Sequence, residues 1–265
     1  MEQEFIISSR KNERIRDAKL LYQRKYRDQT GLFIIEGVRL VEEALSTPFV
    51  ETLFFSPKLT DNPRGEAMIT HAKDSGIPAL RCTEEVLSEL TDTVQSQGVV
   101  AVVRKPSWTL SCSGVMLVAD EIQDPGNMGT LLRTAVGAGV HGLLVVEGSV
   151  DLYNPKVLRS SMGAIFRLPH WLVTRRQVLE LVRLNGSTLV IADLVDSQNY
   201  WKARYPQNMA LVIGNEARGV HPDFRDAALL RVQIPLLGPV ESLNAPVAAG
   251  VLLYEILRQH RSDLP

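Results

Sequence analysis

The stretch Ile234-Pro-Leu-Leu-Gly-Pro-Val-Glu-Ser-Leu-Asn244, continuing Ala-Pro-Val-Ala-Ala-Gly-Val-Leu-Leu-Tyr-Glu-Ile-Leu-Arg258, decides how the chain is read. It parses as a short strand, an irregular loop and a long apolar helix. Pro235 and Pro239 fix φ and Gly238 permits unusual φ, so the loop can be rigid without regular structure. Asn244 stands as the helix N-cap, with Pro246 in the first turn, where a missing N–H costs nothing. Val247, Val251, Tyr254 and Leu257, with Leu253, make an apolar face at helical spacing. A capped core helix accounts for that much. It does not account for Glu241, Ser242 and Asn244 gathered at a loop tip on a rigid scaffold, where function concentrates.

Working outward, 265 residues point to about two domains. A hydrophobic content of 45% excludes a disordered chain. No apolar run reaches the roughly 18 residues of a membrane helix. The start Met1-Glu-Gln-Glu lacks the basic and apolar regions of a signal peptide. Cys82 and Cys112 stand apart, outside any CxxC or Cys/His pattern, which predicts reduced thiols in a cytoplasmic protein. The five histidines show no metal-ligand spacing, so no metal is expected. The net charge of −1 hides a basic N-terminal segment. Between Ser8 and Asp28, Arg10, Lys11, Arg14, Arg16, Lys19, Arg24, Lys25 and Arg27 face only Glu13, Asp17 and Asp28. Such a segment is either a solvated helix face or a phosphate-binding arm.

Strands and helices alternate along the chain, which predicts parallel-type sheets with helices on their faces. Residues 10–27 read as one helix, stopped by Thr30-Gly31. Strands follow at Leu32–Ile35, Thr52–Phe55, Ala79–Cys82 and Gly98–Arg104, with helices between them. Pro106 to Gly114 is small, polar and strand-poor, and marks the junction. The division is 1–106 for a first domain, 107–114 for a linker and 115–265 for a second domain. The alternation then restarts at Val115–Ala119, with a helix over about 128–138 and strands at Leu143–Val146, Thr188–Ala192 and Met209–Ile213.

Gly137-Ala-Gly139-Val-His-Gly142 fits G-x-G-x-x-G by letter. A dinucleotide fingerprint, however, needs strand, then glycines, then helix. Here the glycines follow a helix and precede a strand, as a C-cap and turn would. Asn127-Met-Gly-Thr-Leu-Leu-Arg133-Thr-Ala135 falls after a strand, at the sheet edge where α/β folds bind ligands. Asn127 is placed as an N-cap. Arg133, inside an apolar helix, is either a snorkelling residue or a phosphate ligand. In Gly214-Asn-Glu216-Ala-Arg-Gly219-Val220 a strand enters a glycine-bracketed loop, where Gly214 allows close backbone approach and Glu216 is a carboxylate at the sheet edge.

Taken together, Asn127-x-Gly129-x-x-x-Arg133-Thr-Ala, Gly214-Asn-Glu216-x-x-Gly219-Val and Ile234-Pro-Leu-x-Gly238-x-x-x-Ser242-Leu-Asn244 resemble, in order and spacing, the three motifs of the SpoU (TrmH-type) branch of the SPOUT RNA methyltransferases. One departure is Ala245-Pro246, where the family usually has small or β-branched residues and a serine. Leu32-Phe-Ile-Ile-Glu36-Gly37-x-Arg39-Leu-Val resembles, more weakly, the family's smaller N-terminal α/β substrate-binding domain, of the L30e ribosomal-protein type.

The resemblance implies an α/β fold: a C-terminal SPOUT domain with a parallel sheet and a C-terminal trefoil knot. It also implies an obligate homodimer with the site at its interface. The implied reaction is methyl transfer from S-adenosylmethionine to a ribose 2′-hydroxyl of RNA. The two-domain layout is closer to modifiers of ribosomal RNA (23S) than to the tRNA-specific members. The implied catalytic set is Arg133, Asn127, Glu216, Ser242 and Asn244. The cofactor would lie against Gly214, Ile234, Gly238 and Leu243. Phosphates would meet Arg10, Lys11, Arg14 and Lys19. The alternatives are a tRNA 2′-O-methyltransferase, a non-catalytic RNA-binding or ribosome-assembly protein on the same scaffold, and a nicotinamide-dependent oxidoreductase.

Overall fold

The computed structural model describes residues 6–61, 63–93, 95–110 and 113–261; the Met1–Glu4 start and Cys112 lie outside the described residues. The chain forms two compact units, one of residues 1–107 with 153–166, the other of residues 108–152 with 167–265. The sequence runs the second domain unbroken from 115 to 265. Tyr153–Phe166 instead groups with the first unit.

The first unit is built on β1 (Ile6–Ile7), β2 (Leu32–Glu36), β3 (Val50–Phe55), β4 (Ala79–Cys82) and β5 (Val99–Arg104), in the order β1-β4-β3-β5-β2. The expected parallel arrangement holds only for β1, β4 and β3; β5 runs antiparallel to both β3 and β2. Alternation of strand and helix does not fix the direction of the last strand. The irregular stretch after helix Glu84–Ser88 gives the chain room to turn back before β5. Ile15, Ala18 and Leu21 share a core with Ile34, Phe54, Val86, Leu87 and Val100.

The single helix expected over 10–27 is two, Glu13–Leu20 and Arg24–Thr30, because Gln23 is extended. Arg27 turns inward, is 4% exposed, and donates through Nη1 to the carbonyls of Leu21 and Tyr22 at 2.8 Å each. Those carbonyls lie just beyond the first helix and would otherwise lack partners. One of the eight basic residues is therefore structural. Gly31 ends the second helix in the left-handed conformation, φ 69°. Helix Pro155–Ser161 and its flanks pack on this unit, with the Phe33 ring 4.7 Å from Tyr153 and 6.2 Å from Phe166.

The second unit holds β6 (Val115–Ala119), β7 (Gly142–Val146), β8 (His170–Val173), β9 (Thr188–Ala192), β10 (Gln198–Asn199), β11 (Met209–Ile213) and β12 (Leu230–Gln233). They form one sheet in the order β10-β12-β9-β11-β6-β7-β8, every pair parallel. Met116, Val118, Leu144, Val146, Ile191 and Val212 form a core with Val178 and Phe224, which bring helices Arg175–Leu184 and Pro222–Ala227 onto that face. The alternate residues Leu117, Leu143, Val145, Val190 and Leu211 are also buried, so the strands read as continuous apolar runs. Helix Pro125–Gly137 ends before the left-handed Gly139, and β7 follows, so the glycine run has no dinucleotide-binding context.

Helix Ala245–His260 buries Ala245, Pro246, Ala249, Leu252, Leu253 and Ile256. Of the face expected from helical spacing, only Leu253 is buried; Val247 is 52% and Tyr254 54% exposed. This helix is apolar nearly all round, so period alone could not choose a face. Small residues choose it: the helix lies against Pro125–Gly137, where a methyl group on Gly250 would reach within 3.5 Å of Thr134 Cγ2. None of the described helices is long and apolar enough to cross a membrane.

Candidate active site

An open cleft of about 800 Å3 lies in the second unit, beyond the carboxyl ends of β9, β11 and β12. That edge of a parallel sheet is where α/β folds bind ligands, and the volume suits a whole cofactor. Gly214, Ile234, Leu243, Asn127, Glu216, Ser242 and Asn244 all line it. Two expected residues do not line it, Gly238 and Arg133.

The expected N-cap role of Asn127 is corrected. Asp124 caps helix Pro125–Gly137, its Oδ1 accepting from the Asn127 backbone N–H at 2.8 Å, with Pro125 in the first turn. Asn127 sits one turn in, and its side chain is free to bridge. Its Nδ2 donates to Glu216 Oε1 at 2.9 Å, and its Oδ1 accepts from Asn244 Nδ2 at 3.0 Å. Asn244 occupies the N-cap position of its helix as expected, but makes no capping bond with its side chain. One residue from each of the three motifs thus joins a single relay.

The loop after β11 is shaped by its own residues. Gly214 has ordinary φ, yet a Cβ there would lie 2.3 Å from Gly219 C and Val220 N. The glycine serves closure of the loop on itself, where the sequence suggested approach to a ligand. Asn215 and Gly219 exchange backbone hydrogen bonds of 3.0 and 2.9 Å, and Gly219 takes φ 69°. Buried Asn215 accepts at Oδ1 from the N–H groups of Ala217 and Arg218, and donates through Nδ2 to the Glu121 carbonyl at 2.8 Å. This fold presents Glu216 outward.

Glu121 in turn has left-handed backbone, φ 56°, and is bound by Arg175 and Arg218. The Arg175 guanidinium holds its carboxyl below the usual carboxylate range, outweighing the cost of desolvation. Arg175 also donates to buried Asp120 at 3.0 Å, whose other oxygen accepts the His221 N–H at 2.9 Å. Together these bonds tie the ends of β6 and β11 to the helix after β8.

The sequence reading missed Asp193, directly after β9, and Arg225 on helix Pro222–Ala227, which pair at 2.7 Å and line the cleft. Asp193 Oδ1 also accepts from the N–H of Leu194 at 2.7 Å. An acid following Val190-Ile191-Ala192 was the signal. It also missed Asn215, whose place inside the second motif was the clue.

The Arg133 side chain is exposed and makes no hydrogen bond or ion pair among the described residues. In the first unit, Glu89 pairs with Arg10 at 3.2 Å and with Lys19 at 2.5 Å. The side chains of Lys11 and Arg14 carry no such pair among the described residues.

Comparison with known proteins matches residues 114–254 to the SpoU rRNA methylase family and residues 12–101 to the MRM3-like substrate binding domain. The chain is 33% identical over 253 residues to the 23S rRNA (guanosine(2553)-2′-O)-methyltransferase RlmP of Bacillus subtilis, covering 94% of this chain and 98% of that protein. An AdoMet-bound rRNA methyltransferase structure from Sinorhizobium meliloti superposes with TM-score 0.86 at 28% identity, over 97% of this chain and 98% of that one. The TrmH/SpoU tRNA modifying enzyme of A. aeolicus, by contrast, covers 56% of this chain and 76% of its own, with TM-score 0.50 and 26% identity. With its second unit matched almost throughout and RlmP matched over 98% of its length, the chain belongs to the SpoU rRNA methylase family.

Proposed function

We propose that this protein is an S-adenosylmethionine-dependent 2′-O-ribose methyltransferase of 23S rRNA, acting as a homodimer in the cytoplasm. The relay Glu216–Asn127–Asn244 carries the reading, because it draws all three motifs to the lip of one cleft. The rRNA target is favoured because the rRNA-modifying relatives match both units, whereas the tRNA-modifying relative matches about half the chain.

The cleft fits the cofactor. Its walls combine the apolar Ile213, Ile234, Leu236 and Leu243 with a few polar groups, as cofactor pockets do. Bound there, S-adenosylmethionine supplies the methyl group as a strongly electrophilic sulfonium. The chain's own task is to place a ribose hydroxyl in line and ease loss of its proton. Positioning of this kind is worth roughly 7–11 kcal/mol of barrier. Asn127 is held from both sides, and with Ser242 and Glu216 it fixes the orientation of groups entering the cleft. Arg133 binds the substrate phosphate and hydroxyl but is no base, since a guanidinium keeps its protons. The proton passes to the phosphate or to water. Because Arg133 is exposed, unpaired and outside the cleft of its own chain, it completes the site of a second copy. The exposed Val247 and Tyr254 give such a copy an apolar face to cover. Lys11 and Arg14, with Arg10 and Lys19, contact RNA phosphates. Selection of RNA over DNA follows from the need for a 2′-hydroxyl.

The test is methyl transfer from labelled S-adenosylmethionine to 23S rRNA lacking modifications, with the ribose mapped by its resistance to alkaline cleavage. One new resistant site supports the reading; none, with the cofactor shown to bind, favours a non-catalytic RNA-binding protein.

A further inference from the structure

The first unit carries a second cavity, unrelated to the relay, of about 220 Å3. Its lining includes Arg39, Thr93, Gln95, Ser96, Gln97 and Arg159. The volume lies below the roughly 300–1,000 Å3 of a cofactor-sized pocket, so it takes a fragment about the size of one nucleobase.

The floor is fixed by Glu36, 8% exposed. One of its oxygens accepts from Arg159 Nη1 at 2.8 Å; the other accepts from the Asp92 N–H and Thr93 Oγ1, both at 3.2 Å. Arg159 also reaches Asp92 Oδ2 at 3.0 Å. The buried carboxylate is thus fully engaged, and serves to hold the walls. At the rim, Gln97 Oε1 accepts from the Val38 N–H at 2.8 Å, tying the loop to the start of helix Val38–Leu45. Arg39, in the first turn of that helix, is exposed, and its side chain makes no hydrogen bond or ion pair among the described residues. Arg64 makes the hydrogen bonds to the Glu42 carboxylate and holds that carboxyl below its usual range, to which the Arg39 charge adds.

We infer that this cavity is a subsite for one unstacked nucleotide of the RNA substrate, its phosphate on Arg39 and its base among Gln95, Ser96 and Gln97. The chemistry selects that ligand. Side-chain amides and hydroxyls pair with the edges of bases, and sequence-specific RNA recognition works on bases splayed out of the stack. A planar guanidinium that no side chain among the described residues hydrogen-bonds suits a phosphate. Leu40, Val99 and Met162 supply the apolar wall that a base face needs. The inference rests on the RNA-modifying reading above and adds where a nucleotide other than the reacting one is held.

The experiment uses the full chain in two arms. In the first, each of the four ribonucleoside 5′-monophosphates is titrated and followed by NMR at the Gln95 and Gln97 side-chain amides. Saturable binding of at least one, with Kd around 1 mM, is expected, weakened about tenfold in Arg39→Ala. In the second, Arg39→Ala and Gln95→Ala raise the KM for unmodified 23S rRNA about tenfold, with kcat and cofactor affinity within about twofold of the starting protein. Arg39→Lys recovers part of the loss, as the charge returns without the fork. No saturable binding by any of the four, or an unchanged KM in Arg39→Ala, overturns the subsite. Failure to methylate any RNA sinks the enzymatic reading separately, and the first arm still decides the pocket.

Discussion

Asn244 donates through Nδ2 to Asn127 Oδ1 at 3.0 Å, across 117 residues of chain. Asn127 spends its own Nδ2 on Glu216, so neither amide has a free choice of orientation. Asn127→Ala removes both bonds at once and leaves two polar groups unmet. Each such loss costs about 1–3 kcal/mol when buried, and less at a cleft lip. Methyl transfer should fall at least about tenfold with a small change in thermal stability. The Asn127→Ala/Asn244→Ala double variant should lose less than the sum of the single losses. Strict additivity in that cycle would show that the relay does not act as a unit.

Arg133→Ala should abolish transfer while leaving cofactor affinity nearly unchanged, since Arg133 does not line its own cleft. Mixing that inactive protein with the impaired Asn244→Ala variant, after dissociation and reassociation, should raise activity above that of either protein, towards about a quarter of the starting activity. Half of the dimers are then mixed, and each has one complete site. A mixture that stays inactive shows that each site takes Arg133 and Asn244 from the same chain and refutes the shared site.

Gly214→Ala puts a methyl group 2.3 Å from backbone atoms of Gly219 and Val220, which cannot swing aside as a side chain could. The loop must open. About 1–3 kcal/mol of stability should be lost, as in other overpacked sites. Cofactor affinity, read by calorimetry, should drop with it. The same change at Gly238, where no atom lies within 4 Å, should leave stability nearly unaltered.

His170 is buried, which pushes its pKa down from the usual 6.5, partly offset by its hydrogen bond to the Leu168 carbonyl at 2.8 Å. A folded state that favours the neutral ring keeps the full contribution above the unfolded pKa and loses it as pH falls below about 6.5. The urea midpoint should therefore decrease between pH 7.5 and pH 5.5. His170→Gln, which keeps an N–H donor for Leu168 but does not titrate, should show a smaller decrease. Equal pH dependence in both proteins would remove His170 as the cause.

Lys11→Ala and Arg14→Ala should each lower the salt slope of RNA binding by roughly 0.7–0.9. Arg10→Ala and Lys19→Ala should do less, because Glu89 already neutralises part of their charge. Filter binding of 23S rRNA between about 50 and 200 mM salt separates the two pairs; four equal slopes would show that Glu89 releases its partners to the RNA.

Most strands of both units were legible as apolar runs, because a buried strand announces itself by composition; β1, β8, β10 and β12, short or largely polar, were not, and the strand expected at Ile234 is β12, which ends one residue earlier at Gln233. The three motifs were legible too, and their resemblance to those of the SpoU family implied Asn127, Glu216, Ser242 and Asn244 as site residues, all four of which line the cleft. Helix Ala245–His260 was legible as a helix but not in its facing, since hydrophobic residues on every side give periodicity nothing to select. Asn127 was misplaced as a cap because Asp124 competes for the same role three residues earlier, and Pro125 settles the start of the helix.

The sequence by itself determined which segments would fold, and which residue types would be available to hold a cofactor and an RNA. Only the tertiary structure decided that β5 runs against its neighbours, that Tyr153–Phe166 belongs with the first unit, and that Arg133 stands away from its own cleft. Local propensity and spacing act over a few residues. Pairing direction, packing partner and convergence are set by contacts between segments far apart in the chain, where many arrangements share the same local pattern and differ only in how well they bury it.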